Sequence, residues 1–159
     1  MNNDEFTSMV ERGEWPARID VPLDAPFRNQ NGIIQNLILK PITSVAAITS
    51  SKGAVRANHY HKTDWHYAYV VSGAIAYFER AVDSSEIPKP MIFKTGHMFF
   101  TPPMREHSMV FLEDTVIITM AKNIRSHENH ESDVVRVSFI DSSIIDEVIR
   151  DWELSGETI

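Results

Sequence analysis

From Ile33 to Ile140 the chain is written in short apolar runs, and this texture constrains its fold more than any other feature. IIQNLILK, SVAAITS, HYAYVVS, AIAYFERA, MIFK, HMFF, SMVFL, TVIITMA and VVRVSFI are β-branched or aromatic stretches separated by Gly, Pro, Ser or Asp. Closely spaced strands of this kind predict an all-β sandwich or barrel. The flanks read differently. Residues 4 to 15 suit a short helix, and WPARIDVPLDAPFRNQNG then brings three prolines and polar turn residues, which predict an extended arm rather than a packed element. At the other end SSIIDEVIRDWE sets Ile144, Ile145, Val148, Ile149 and Trp152 at helical spacing, with Ser143 and Asp146 placed as a capping box. The expected organisation is an N-terminal arm over 1–32, a β-barrel over 33–140 and a C-terminal helix over 141–159 packed on the barrel.

A chain of 159 residues is one domain by default and buries roughly 70% of its unfolded surface, so a conventional core is available. With no cysteine, disulfides, thiolate metal sites and cysteine nucleophiles are excluded. The formal charge is −7 and the fifteen Lys and Arg are scattered, which disfavours nucleic acid as a partner. The start MNNDEFTSMVERGEW lacks the basic and apolar regions of a signal peptide, and no apolar stretch is as long as a membrane span. The expectation is a cytoplasmic protein without membrane partners that acts on a small molecule.

Three of the seven histidines fall within nine positions, NHYHKTDWH. His59 and His61 are two apart, so on a strand both leave the same face, as a sheet presents two ligands to one ion. His66 lies an odd number of positions further on, and the polar KTDW between them predicts a break that resets the phase. HYAYVVSGAIAYFE then reads as a hairpin turning at Ser72 and Gly73. That register pairs His66 with Glu79 and Ala68 with Tyr77, which makes Glu79 and Tyr77 candidates for the histidine cavity. His107 follows in GHMFFTPPMREH. His97 is expected at the surface or behind the site, and His127 and His130 in a solvated charged loop. Trp65, Tyr67 and Tyr69 are expected to pack or line the entrance, and Phe99, Phe100, Val110, Phe111, Val116, Ile117 and Ile118 to fill the barrel.

Taken together, the spacing is Gly53, five residues, His59, one residue, His61, four residues, His66, six residues, Gly73, and later Gly96, five residues, Pro102, four residues, His107. This resembles the paired signature of the cupin superfamily. The resemblance implies a double-stranded β-helix, a jelly-roll barrel, holding a divalent metal inside. Carried over by position, the ligands implied are His59, His61 and His107, joined by His66 where the signature has glutamate, a site of four neutral imidazoles. Two further departures are Met104 in place of the second glycine of the later segment and Phe111 where asparagine is common. An imidazole-only set implies a transition metal, Zn, Fe, Ni, Mn or Co, rather than Mg or Ca, and leaves the ion its full charge. The alternative is a metal-free barrel whose histidines line the cavity or act as bases.

VRANHYHKTDWHYAYVVSG and FFTPPMREHSMVFLEDTVIITMAKN look like the small cupins related to nucleotide-sugar epimerases and ketoisomerases. That likeness implies an isomerase or epimerase acting on a carbohydrate or sugar nucleotide through a metal-stabilised enediolate. Glu79 and Tyr77 would move protons, and Arg56 and Lys62 would attract an acidic substrate. Two other readings stand beside it: a three-histidine, non-haem iron dioxygenase, and a non-catalytic small-molecule-binding barrel. Barrels of this resemblance dimerise through edge strands or arms, so a homodimer is expected.

Overall fold

The computed structural model describes residues 3–157. In chain order the elements are α1 (Asn3–Glu11), β1 (Asp20–Val21), β2 (Phe27–Asn29), β3 (Gly32–Ile34), β4 (Ser44–Ser50), β5 (Val55–His61), β6 (His66–Ser72), β7 (Ala74–Ala81), β8 (Met91–Lys94), β9 (Met98–Thr101), β10 (Arg105–Phe111), β11 (Thr115–Ala121), α2 (His127–Asp133), β12 (Val134–Arg136) and α3 (Ser142–Ser155). Ten strands form two five-stranded antiparallel sheets, ordered β1-β9-β6-β11-β4 and β12-β5-β10-β7-β8, while β2 and β3 make a separate hairpin. This is the expected jelly-roll barrel with an N-terminal arm and a C-terminal helix.

The central strands of each sheet are covered on both faces, which explains why they read as near-continuous apolar runs, whereas the edge strand β4 is largely exposed. Between the sheets lie Ala68, Val70, Ile75, Tyr77, Phe93, Phe99, Met109, Phe111 and Ile117. Outside the second sheet, Ala74, Ala76, Phe78, Val110 and Leu112 meet Val148 and Trp152 of α3. Outside the first, Tyr67, Met98, Phe100 and Met120 meet Trp15 and, from α1 and the arm, Met9, Val10, Leu23, Leu37 and Ile38. Of the residues expected to fill the barrel, Phe99, Phe111 and Ile117 do so. Phe100 and Ile118 instead lie under the arm, and Val110 lies under α3, because alternate residues of a strand leave opposite faces.

Several local expectations are corrected by pairing. The arm is packed rather than merely extended: β1 adds to the barrel by pairing Asp20 with Phe99 and Val21 with Met98. Residues 33–40 do not form one strand. Pairing ends at Ile34, and the chain continues over the first sheet, where Leu37 and Ile38 pack and Lys40 donates to the Tyr67 hydroxyl at 3.0 Å. The N-cap of α3 is Asp141, whose Oδ1 accepts from the Ile144 amide at 3.1 Å, so Ser143 lies inside the helix and donates to Asp141 instead. The apolar stripe of α3 is as expected.

The Ser72–Gly73 junction is not a hairpin, since β6 pairs with β9 and β11 while β7 pairs with β8 and β10. There the chain crosses between sheets. Gly73 has φ +98°, and a Cβ on it would stand 2.2 Å from Thr115 Oγ1 and 2.6 Å from the Asp114 carbonyl, so only glycine fits the crossing. Among the described residues, no helix is long and apolar enough to cross a membrane.

Candidate metal centre and proton-carrying groups

The interior of the barrel is divided along its strands. On β10 the inward residues run Phe111, Met109, His107, and β7 sets Ile75, Tyr77 and Glu79 directly opposite them. One half of the barrel is therefore apolar, and the other carries the histidines.

His59 and His61 reach that half through an irregularity in β5. Arg56 pairs with Met109, an inward residue, and in an unbroken strand His59 and His61, at odd distances from Arg56, would face outward. The register shifts by one residue between His107 and Ser108, because Ala57 and Asn58 adopt left-handed φ values of 70° and 52°. The bulge inverts the alternation and sets His59 opposite His107. Asn58 is pinned by Ser108 Oγ, 2.8 Å from its Oδ1, and by the Val137 amide, 2.9 Å from its carbonyl. His66 arrives from β6, across the barrel in the other sheet. The KTDW break thus does more than reset the phase: it carries the chain between sheets.

Ligand atoms of His59, His61 and His107 all lie within 4.8 Å of one another. The rings of His59 stand edge-on to those of His61 and His107, with centroids at 4.7 and 4.8 Å. All three rings are buried. Burial drives their pKa values down, His59 to about 2, His61 to about 3 and His107 to about 4, so near neutral pH each keeps a lone pair. Two are oriented from behind. His61 Nδ1 lies 3.1 Å from Asp133 Oδ2, and His107 Nδ1 lies 3.0 Å from the Arg105 carbonyl. Both partners only accept, so the ring proton sits on Nδ1 and Nε2 is bare. His61 Nε2 is buried and has no hydrogen-bond partner among the described residues.

Asp133 is an orienting group. Burial pushes its pKa up, but hydrogen bonds from the Thr63 hydroxyl, the Thr63 and Asp64 amides and His61 outweigh this and hold it below the usual carboxylate value. A second compact set, His61, Asp64 and Asp133, also exists. Its carboxylates are already engaged, with Asp64 accepting from Arg125 Nε at 2.8 Å and from the Asn123 amide at 2.9 Å. His66 stands beside the trio rather than in it, its centroid 5.5 Å from that of His61, and its Nδ1 faces Arg125 Nη2 at 2.9 Å.

The hairpin register that placed Glu79 and Tyr77 in the cavity is wrong, yet both face it, through pairing with β10 instead. Glu79 is opposite His107, and Arg105 clamps its carboxylate with two bonds of 2.6 and 2.9 Å. Tyr77 is fully buried, exchanges a 2.9 Å hydrogen bond with Thr101, and has its pKa pushed up by burial. Arg56 is engaged elsewhere, donating to Ser50 Oγ at 2.7 Å and the Thr49 carbonyl at 3.2 Å on β4. Lys62 lines an open groove of about 640 Å³ with Thr43, Thr63, Lys122, Asn129 and Asp133.

His127 and His130 lie on α2, not in a loop. His127 is exposed, but the half-buried His130 ring comes within 5.8 Å of His59 and 5.7 Å of His61, centroid to centroid. The available signal was Ser126, whose side chain caps α2 by accepting from the Asn129 amide. His97 is exposed at the opposite turn, where its Nδ1 accepts from the Lys94 amide at 3.3 Å. Asp64, Arg125 and Asp133 carried no sequence signal, because they act only through partners 59 to 72 positions away.

No family model and no curated protein matches the chain. Solved structures are similar in fold. A sugar 3,4-ketoisomerase from Thermoanaerobacterium thermosaccharolyticum, in complex with TDP, is 17% identical with a TM-score of 0.57, covering 80% of this chain and 92% of that one. A 3,4-ketoisomerase from Helicobacter canadensis is 15% identical with a TM-score of 0.58, covering 80% and 93%. A dTDP-4-dehydrorhamnose 3,5-epimerase from Sulfolobus tokodaii is 20% identical with a TM-score of 0.55, covering 73% and 76%.

Proposed function

We propose that this chain is a metal-binding jelly-roll enzyme that isomerises or epimerises a carbohydrate or sugar nucleotide. The observation that carries the metal is His61 Nε2, a buried lone pair without a partner, on a ring whose other nitrogen is held by a carboxylate. Leaving such an atom unpaired costs about 1–3 kcal/mol, and a cation is the partner that a bare imidazole nitrogen takes. His59, His61 and His107 would hold a divalent transition metal, Zn, Fe, Ni, Mn or Co. When bound, it supplies Lewis-acid stabilisation of the oxyanion that forms when a proton leaves the carbon beside a carbonyl.

The substrate class is supported by the likeness in fold to the sugar ketoisomerases and the epimerase, and by the groove beside Asp133. Its Lys62 and Lys122 would meet an anionic group such as a diphosphate. Lys62 thereby keeps the role expected of it, whereas Arg56, tied to β4, is not among the groove residues. Two groups at the trio can move a proton. Glu79 stands beside His107 but must leave Arg105 to act as base, and His130, its pKa lowered chiefly by burial, offers a neutral ring from the open side. Tyr77, kept protonated, is a hydrogen-bond donor at the floor.

The lack of a carboxylate among the three favours one other reading, a three-histidine Fe(II) dioxygenase. The two separate in one experiment: metal-free protein is loaded with Zn or with Fe(II) and offered 4-keto sugar nucleotides with and without oxygen. Isomerised product with Zn under nitrogen supports the proposal. Turnover that requires both Fe(II) and oxygen overturns it in favour of the dioxygenase.

We further propose a homodimer, supported by uncovered apolar side chains on the β2–β3 hairpin (Phe27, Ile33, Ile34), at Leu39 and at Val45 of β4, an edge strand.

A further inference from the structure

We propose that His66 is the hydrogen-bond donor of this site and not its fourth ligand, locked by Arg125 in the tautomer that carries its proton on Nε2 and presents it to the substrate's carbonyl oxygen. The inference rests on the metal-site reading above.

What each Nδ1 meets sorts the rings chemically. Facing His61 and His107 are pure acceptors, the Asp133 carboxylate and the Arg105 carbonyl, so the proton is drawn to Nδ1 and Nε2 is left bare. Facing His66 is a pure donor. A guanidinium has five N–H groups and no acceptor, so in the 2.9 Å contact His66 Nδ1 must accept from Arg125 Nη2. A neutral imidazole that accepts at Nδ1 carries its one proton at Nε2, on the ring edge turned away from Arg125.

Arg125 is itself held in place. Its Nε donates to Asp64 Oδ2 at 2.8 Å, Asp64 Oδ1 accepts from the Asn123 amide at 2.9 Å, and the Arg125 amide donates to Ser44 Oγ at 3.0 Å. The arginine therefore cannot turn away without leaving the buried Asp64 carboxylate without its counter-charge, which is costly. A ring protonated on both nitrogens would turn an N–H toward the N–H of the guanidinium, so the 2.9 Å contact itself disfavours it.

The inward side of β6 puts the His66 ring 5.5 Å from His61 and 6.0 Å from His107, centroid to centroid. A donor at that distance from the ligands reaches an oxygen between them. The position that departs from the resembled signature thus exchanges a carboxylate, which accepts, for a neutral group that donates. Arg125 acts through His66 and is a positioning residue.

Long-range proton–nitrogen NMR of the imidazoles, on protein labelled with ¹⁵N and freed of metal, reads each tautomer directly, and one equivalent of Zn is then added. His66 is assigned by the signal that vanishes in His66→Gln. The expected result is a His66 ring protonated on Nε2 both before and after Zn, while the Nε2 signals of His61 and His107 move to coordinated positions. Arg125→Met should release His66 into a mixture of tautomers, whereas Arg125→Lys, which keeps a donor, should restore the lock. His66→Gln should bind Zn within about threefold of the parent, against a loss of about a hundredfold or more in His61→Ala. A proton on Nδ1 in the parent, Zn displacing the Nε2 proton of His66, or an equal loss of Zn in His66→Gln and His61→Ala overturns the proposal. If Zn moves no histidine, the metal-site reading is what fails, and the metal-free spectrum still decides the tautomer.

Discussion

His61 does more than any other single residue to organise the site, because its two nitrogens are committed in opposite directions. Asp133 fixes the tautomer and accepts from four donors, so Asp133→Asn should keep the fold but lower metal affinity about 10–100-fold, measured by competition with a chelator. The same burial makes the metal-free protein acid-sensitive. The folded pKa values of His59, His61 and His107 lie below the ordinary 6.5, so between those values and 6.5 the unfolded chain takes up protons that the folded one refuses. Stability is full above about pH 6.5 and falls as pH drops toward the folded values, each ring contributing up to about 1.4 kcal/mol per pH unit. Calorimetry of metal-free protein should show Tm dropping steeply between about pH 6.5 and 5. A flat Tm there would mean that the rings are not buried neutral. The His59-x-His61 pair was legible because a spacing of two keeps both rings on one face, and His107 because it stands at the matching position of the signature that the chain resembles. His130 was misplaced because nothing short of α2 itself brings it to the site, and Asp64, Arg125 and Asp133 were invisible because hydrogen-bond partners far apart in sequence leave no local pattern.

At the scale of an element, β5 decides the site, since its bulge turns two histidines inward. Strand runs such as SVAAITS and HYAYVVS were readable to the residue, because turn residues bound them. The pairing partners of β6 and β7 were not, because a tight Ser-Gly junction looks the same whether the chain folds back or crosses to the other sheet. The bulge also carries a cost. Ala57 holds φ 70°, a conformation worth about 1–2 kcal/mol against an L-residue with a Cβ. Ala57→Gly should therefore raise stability by about 0.5–1 kcal/mol while leaving metal binding intact, as read from chemical denaturation and Zn titration. A loss of stability would show that the alanine methyl, packed against the barrel interior, matters more than the backbone.

For the whole molecule, the arm and α3 cover the outer faces of the central strands, and the hairpin and the β4 edge remain among the uncovered apolar surfaces. Light scattering should give a mass twice that of the 18.1 kDa chain, and Val45→Lys, a charge on the open edge, should return it to one chain. A parent protein that is monomeric at all concentrations would contradict the dimer. Elemental analysis of protein purified without a histidine tag, beside His61→Ala, decides whether three neutral imidazoles hold a metal. About one equivalent of a transition metal is expected in the parent and little in the variant. A parent that carries no metal, even after reconstitution with Zn and Fe(II), would contradict the metal site and leave the histidines as polar lining or acid-base groups.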